Sequence, residues 1–414
     1  MRYQSHKYIS LHDLASVIEK TPRCEPPMNR VPTWSALNRI AAHDIITTMD
    51  VPHRARAAYD GFAVHSMDTP GKLRLMGSVR VGEIPTFGVD RGEAVYVTTG
   101  AYLPDGVDAV VPEEEAELID DQVLVANKVM SGANIDPIGS YLASGSKVIG
   151  KGDVIMGHVI PALLEAGIME VDVYERPTIS IISTGNELVK PTNASDAVQA
   201  FLAGKTVEST GSLISWFIES YMPYLSIIEH RLVNDDPESI RSIMLDALRK
   251  SNILITTGGS GPSDIDYIEE ATSSLGPKWM IRGLKMRPGR PTTVAAMDGC
   301  KLIFGLSGHP ISALNALINV IEPMVKIMLG IRRSPAKPIV KGRLTRGIAV
   351  EPGIITQIRV KVTRGNGELL VTPLGGGSSV TTSLAATDGL ITLTSSLREG
   401  DIVDVFMMRD PGDA

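Results

Sequence analysis

Only two cysteines, Cys24 and Cys300, occur in 414 residues. Two thiols cannot build a disulfide framework or a Cys-rich zinc site in a chain this long, and their scarcity fits a reducing compartment. Positive charge is also short. Forty Lys and Arg face 47 Asp and Glu, a net charge of -7, which excludes the broad electrostatic grip that nucleic acid requires. The stretch from Met1 to Lys20 lacks the apolar core of a signal peptide, because His6, Lys7, His12, Asp13 and Glu19 interrupt it. Unbroken apolar runs are missing too: His158, Pro161 and Glu165 break 154–173, and Asn315, Asn319 and Glu322 break 311–331, so neither reads as a membrane span. A soluble, cytoplasmic protein with no nucleic-acid or membrane partner is expected.

What is present is a chain of globular composition, 43% hydrophobic and 21% charged, long enough for two to four domains at about 100 to 200 residues each. Apolar spacing predicts helices from Tyr8 to Lys20 and from Thr33 to Thr47, with Ser10 and Thr33 as N-caps. Residues 51–136 carry short β-like runs, LRLMGSVRV, AVYVTTG, AVVPEEEA and QVLVANKV, divided by Gly, Pro and Asp turns; Glu113-Glu114-Glu115 reads as a solvated loop. Residues 137–176 are glycine-rich and read as an extended linking domain packed with residues 1–50. From 177 to 330, the runs TISIISTG, LSIIEHRLV, NILITTGG and KLIFGLSG alternate with helical segments at 207–221, 237–250, 264–275 and 310–329. That alternation predicts an open, mostly parallel α/β sheet covered on both faces. Residues 335–414 are β-patterned, with Asn366-Gly367 as a hairpin turn, and predict a small barrel or sandwich.

Ligands of an open α/β sheet bind outside the carboxyl ends of its strands. Every such exit here is polar: Ser183, Thr184, Gly185, Asn186 and Glu187; Asn234, Asp235 and Asp236; Thr257, Gly258, Gly259, Ser260 and Gly261; Ser307, Gly308 and His309. Glycines let backbone N–H groups reach an anion, and following helices aim positive ends at it. Lys285, Arg287 and Arg290 add cations, so an anionic ligand is expected. Glu187, Asp235, Asp236, Asp264 and Asp266 would oppose a phosphate unless a hard cation intervened, which points to Mg²⁺-dependent phosphate chemistry. Plainer readings stand beside these: Asp235-Asp236-Pro237 as a helix start, the glycine run as a structural turn, His309 as a cap, and Arg287 and Arg290 as surface charge.

The residues resemble the molybdopterin molybdotransferases, that is, the MoeA proteins and the equivalent domain of gephyrin. The resemblance rests on Asp60-Gly61-Phe62-Ala63-Val64, on Thr99-Gly100-Ala101 with Pro104, Gly106 and Asp108-Ala109-Val110-Val111, and on Ser183-Thr184-Gly185-Asn186-Glu187-Leu188. It also rests on Asp235-Asp236, on Gly258-Gly259 followed by Asp266-Tyr267, and on Pro288-Gly289-Arg290-Pro291. It implies four domains, with a molybdopterin-binding α/β domain at 177–330 and a C-terminal β-barrel, and an elongated homodimer whose cleft is shared between subunits. Asp60 and Thr99 would then act in trans. The implied reaction inserts molybdate, or tungstate, into adenylylated molybdopterin and releases AMP with Mg²⁺ assistance. By position, Glu187, Asp235, Asp236 and Asp266 would bind metal and phosphate, and Arg287 and Arg290 would hold anionic oxygens where the family usually has Lys.

Departures from the family pattern cluster at the site. Leu306-Ser307-Gly308-His309-Pro310-Ile311-Ser312 loses one proline and has His309 for an Asn. Gly258-Gly259-Ser260-Gly261-Pro262-Ser263 leans toward the run found in molybdopterin adenylyltransferases. The Asn usual near Thr210 is absent, and Asn134-Ile135-Asp136 and Gly139-Ser140-Tyr141 lose a basic and an acidic position. Two further readings therefore remain: adenylyl transfer or nucleotide pyrophosphate hydrolysis, and a molybdopterin-binding scaffold without catalysis.

Overall fold

The computed structural model describes residues 8–21, 23–258, 267–365, 367–377 and 381–413. The apolar runs of the middle region form a six-stranded sheet of β1 (Thr178–Thr184), β2 (Ser226–Val233), β3 (Ile253–Thr257), β4 (Trp279–Arg282), β5 (Thr293–Met297) and β6 (Lys301–Leu306). Their order is β2-β1-β3-β6-β5-β4. The first four are parallel, and β5 and β4 add an antiparallel extension. β3 is buried at every position, as a strand covered on both faces must be. β2 lies at the sheet edge, which is where Glu229, His230 and Arg231 are tolerated in an otherwise apolar run.

Successive side chains of a strand point to opposite faces. Ile181 therefore meets Ile214, Phe217 and Ile218 of α1 (Thr210–Tyr221) on one face. Its neighbour Ile182 meets Ile240 and Met244 of α2 (Pro237–Lys250) and Ile268 and Ala271 of α3 (Tyr267–Ser274) on the other. The last helix, α4 (Pro310–Leu329), is apolar enough by composition to cross a membrane, yet 72% of its apolar window is buried in the protein. It shares the α1 face of the sheet. The chain leaves β1 for β2 on one side and then crosses to β3 on the other, so its direction reverses between β1 and β3, which is where such sheets bind ligands.

Around this unit lie a six-stranded sheet built from residues 61–125 and an extended unit in which Met28–Pro32 pairs with Glu170–Tyr174 and Ile45–Ile46 with Lys147–Ile149. Near the C-terminus, Ile355–Gly365, Glu368–Pro373, Ile339–Leu344, Ile402–Met407 and Gly389–Leu393 pair in turn, and the last closes back onto the first as a five-stranded barrel. The predicted hairpin is present between Gly365 and Glu368; Asn366 lies outside the described residues.

Two expectations are corrected. Ser10 caps a helix at Leu11–Glu19 as predicted, in a capping box with Asp13, but 33–47 is not a second helix. After one 3-10 turn at Thr33–Ser35, Asn38 turns left-handed (φ 61). Ile40 and Ala41 then bridge to Val154 and Val173, so strand pairing overrides helical spacing. The two cysteines, 276 residues apart, are joined in a disulfide with Cα atoms 5.5 Å apart. A count of two excludes a framework but not a single bridge, and this bridge weighs against the reducing compartment.

Candidate active site

The exits of the strands converge above the switch point. Gly185 N donates to Val233 O at 3.2 Å, and Gly258 N to Leu306 O at 3.2 Å. Gly258 has φ +95, and a Cβ on it would stand 2.1 Å from Thr184 O, so the β1 and β3 exits touch backbone to backbone. A Cβ on Gly308 would lie 3.5 Å from Gly258 Cα, which brings the β6 exit against the same point. Thr210, opening α1 where the family pattern has Asn nearby, donates its hydroxyl to Gly308 O at 2.6 Å. Thr184 Oγ1 is buried here, with no hydrogen-bond partner among the described residues.

The carboxylates take different roles. Glu187 folds back over the chain, its oxygens 2.7 and 2.8 Å from where a Gly185 Cβ would be. Asn186 and Asp235 clasp their two loops, Asp235 N donating to Asn186 Oδ1 at 3.2 Å and Asn186 N to Asp235 Oδ2 at 3.4 Å. Asp235 Oδ1 is left buried and, among the described residues, unpartnered. Asp236 caps α2, accepting from Ser239 N at 2.8 Å, and the hydrogen bonds from Ser239 hold its carboxyl below the usual range. Gly259, Ser260, Asp264 and Asp266 lie outside the described residues. Among the described residues, no three His, Cys, Asp or Glu side chains gather as a metal site.

His309 stands at the start of α4, exposed, with Nδ1 3.0 Å from Ser307 Oγ. The basic segment reaches the same helix. Asn315 donates to Pro288 O at 2.6 Å, and a Cβ on Gly289 would lie 3.2 Å from Ser312 O. Arg287 and Arg290 are exposed, with the Arg290 guanidinium 5.1 Å from the centre of the Tyr8 ring.

Asp60 lies apart from this crevice, beside the strand Gly61–Val64 of the small sheet. Thr99 donates its backbone N–H and its hydroxyl to Asp60 Oδ1 at 2.6 and 2.8 Å. These bonds, the backbone one foremost, hold the Asp60 carboxyl below the usual range. Nearby, Tyr96 donates to Glu113 at 2.7 Å, which pushes the phenol up to about 12, and Glu113-Glu114-Glu115 forms an exposed turn.

Sequence reasoning missed Glu208 and His230, which join Ser183 and Thr257 in a polar cluster under the crevice. Glu208 follows Val207 in an unremarkable run, and only its isolation among apolar and small residues could have drawn notice.

Residues 9–167 match the MoeA N-terminal region (domain I and II), 180–327 the probable molybdopterin binding domain, and 341–407 the MoeA C-terminal region (domain IV). A molybdopterin molybdenumtransferase from Staphylococcus aureus (strain MSSA476) is 30% identical over 392 residues, covering 92% of this chain and 91% of that protein. A protein of the same name from Staphylococcus epidermidis (strain ATCC 12228 / FDA PCI 1200) is 28% identical over 383 residues, covering 90% and 89%. Two solved structures of molybdopterin biosynthesis MoeA protein from Pyrococcus horikoshii are also similar. One has 29% identity and a TM-score of 0.76, covering 98% of this chain and 100% of that one. The other, at 23% identity with a TM-score of 0.74 over 97% and 100%, shows the shared fold.

Proposed function

The chain belongs to the MoeA family of molybdopterin molybdotransferases, and on that premise we propose that it inserts molybdate into adenylylated molybdopterin and releases AMP. It is a transferase of molybdenum cofactor biosynthesis. One observation carries the reading at atomic level: Thr184, Gly258 and Gly308 meet at the switch point, and the basic Arg287–Arg290 segment packs on the helix that opens beside them. Close glycine backbone, a helix start and guanidinium groups together suit a phosphate bearing a leaving nucleotide. Arg287 and Arg290 would neutralise its oxygens, and the Thr184 hydroxyl, unpartnered among the described residues, would hydrogen-bond a ligand.

Mg²⁺ belongs to this reading. Its fit rests on Asp235 Oδ1, a buried hard oxygen with no partner among the described residues. Magnesium usually takes one or two carboxylates and completes its shell with phosphate oxygens and water. Asp235 and Glu187 would hold it, with Asp236 and Asp266 as the further carboxylates of the set, and its chemistry would be to offset charge on the departing phosphate. Asp60 and Thr99 lie beside a separate sheet, and the same reading has a homodimer in which one protomer's Asp60 and Thr99 face its partner's crevice.

The test is AMP release from adenylylated molybdopterin with Mg²⁺, comparing molybdate, tungstate and no oxyanion. Oxyanion-dependent release is the expected result and reveals which metal is used. Release without oxyanion would instead mark nucleotide hydrolysis, and binding without release a scaffold.

A further inference from the structure

Glu208 is an acid where an acid is costly. Its side chain is 1% exposed, and Oε2 has no hydrogen bond among the described residues. A buried carboxylate with an orphaned oxygen is expensive unless its surroundings offset the charge. Glu208 stands just before α1, and its Oε1 accepts from Gly211 N in the first turn and from Ser183 Oγ at 3.2 Å. The positive end of the α1 dipole and these donors offset the charge. His230 Nε2 completes the enclosure, 3.5 Å from Oε2 and 3.1 Å from Ser183 Oγ. Thr257 Oγ1 donates to Ser183 Oγ at 3.2 Å, carrying the cluster across to β3.

The cluster therefore ties together β1 through Ser183, β2 through His230, β3 through Thr257 and α1 through Gly211. From α1, Thr210 extends it to Gly308 O at 2.6 Å. Gly211 shows how closely the parts fit, because a Cβ there would stand 2.2 Å from His230 Nε2. We infer that Glu208 is a positioning residue: it fills the positive end of α1 with an internal anion and, through Thr210, sets the Gly308 turn that receives the anionic group of the substrate. With α1 already occupied, the substrate phosphate is directed to the start of α4, beside Arg287 and Arg290. This assignment rests on the phosphate-binding reading above, and its structural half can be measured without any ligand.

The experiment compares wild type with Glu208→Gln, Thr210→Val, Gly211→Ala and Gly211→Ala/His230→Ala in the full-length chain. Amide hydrogen exchange over 306–312 reads the turn, and calorimetry reads AMP binding. Glu208→Gln and Thr210→Val are expected to speed exchange in 306–312 and to weaken AMP binding about tenfold, equivalent to about 1.4 kcal/mol. Gly211→Ala should do the same by displacing His230, and the added His230→Ala should recover part of the loss by making room for the methyl. A purely structural role would lower the melting temperature without a selective change at 306–312, and that result overturns the inference. Unchanged exchange with lost AMP binding also overturns it, because Glu208 would then act on the ligand directly. If wild type binds no AMP, the phosphate reading fails, while exchange at 306–312 still decides whether Glu208 sets the turn. Should Glu208→Gln not fold, Thr210→Val cuts the same path with a side chain of nearly the same shape.

Discussion

Thr99 gives both its backbone N–H and its hydroxyl to a single oxygen of Asp60, Oδ1. The carboxyl is thereby fixed in orientation and held ionised, with its pKa below the ordinary 3.8. Because the folded value is depressed, the charged form is present above the unfolded value and is lost only as pH falls through the folded one. Activity that depends on this carboxylate should therefore be lost at a lower pH than it would be for an ordinary aspartate. Asp60→Asn keeps an acceptor for Thr99 but removes the charge, and Asp60→Ala removes both. Each should reduce AMP release by roughly 100-fold or more while leaving the thermal melt nearly unchanged, because the group is exposed. Wild-type turnover in Asp60→Ala would remove Asp60 from the site.

Gly258 and Gly276 separate close approach from backbone strain. Both have positive φ, +95 and +70, but a Cβ on Gly258 would strike Thr184 O at 2.1 Å, whereas one on Gly276 meets nothing within 4 Å. Gly276→Ala should cost only the left-handed backbone, about 1 kcal/mol, and retain activity. Gly258→Ala must push apart the β1 and β3 exits and should lose both stability and turnover. Thermal melts and AMP release on the pair decide the point, and equal effects would argue against the backbone contact.

The fold of the α/β unit was legible because its strands are nearly continuous Ile, Leu and Val, a pattern that fixes both strand state and burial. Alternation and turn residues left the tail as a barrel or a sandwich, and the pairing of Ile355–Gly365 with Gly389–Leu393 closes it as a barrel. What was not legible depends on long-range pairing. The stretch 33–47 has helical spacing, but Ile40 and Ala41 are claimed by Val154 and Val173. Cys24 and Cys300 meet across 276 residues. At the site, glycines and polar exits marked the crevice because they break strand patterns, whereas Glu208 left no mark, since a single buried carboxylate looks like any surface acid until the fold encloses it.

The disulfide makes a direct prediction. The described chain has no free cysteine, so an Ellman titration of the denatured, unreduced protein should find no thiol, and the reduced protein two. The bridge ties the segment after Leu11–Glu19, where Cys24 N also donates to Met328 O at 2.9 Å, to the β5–β6 turn. Closing so long a loop stabilises by about 2–4 kcal/mol. Reduction, or Cys300→Ser, should therefore lower the melting temperature by several degrees. Two titratable thiols in the unreduced protein, isolated under air, would count against the bridge.

Asp235 and Asp236 are neighbours with different obligations, and substitution should separate them. Asp236 caps α2, and its carboxyl is held below the usual range by Ser239, so the charged cap is present at neutral pH and fails only under acid. Asparagine is as good a cap as aspartate, so Asp236→Asn should leave the melt unchanged, while Asp236→Ala should lower it slightly. Asp235 Oδ1 is buried without a partner among the described residues, a cost that a bound cation would remove. Asp235→Asn replaces that hard anionic oxygen with a neutral group and should raise the Mg²⁺ concentration for half-maximal AMP release by about tenfold, equivalent to about 1.4 kcal/mol of binding. Asp236→Asn should shift it less, because Asp236 Oδ2 is already committed to Ser239 N. A magnesium titration of the three variants tests this order, and a larger shift in Asp236→Asn than in Asp235→Asn would place the ion at the helix start instead.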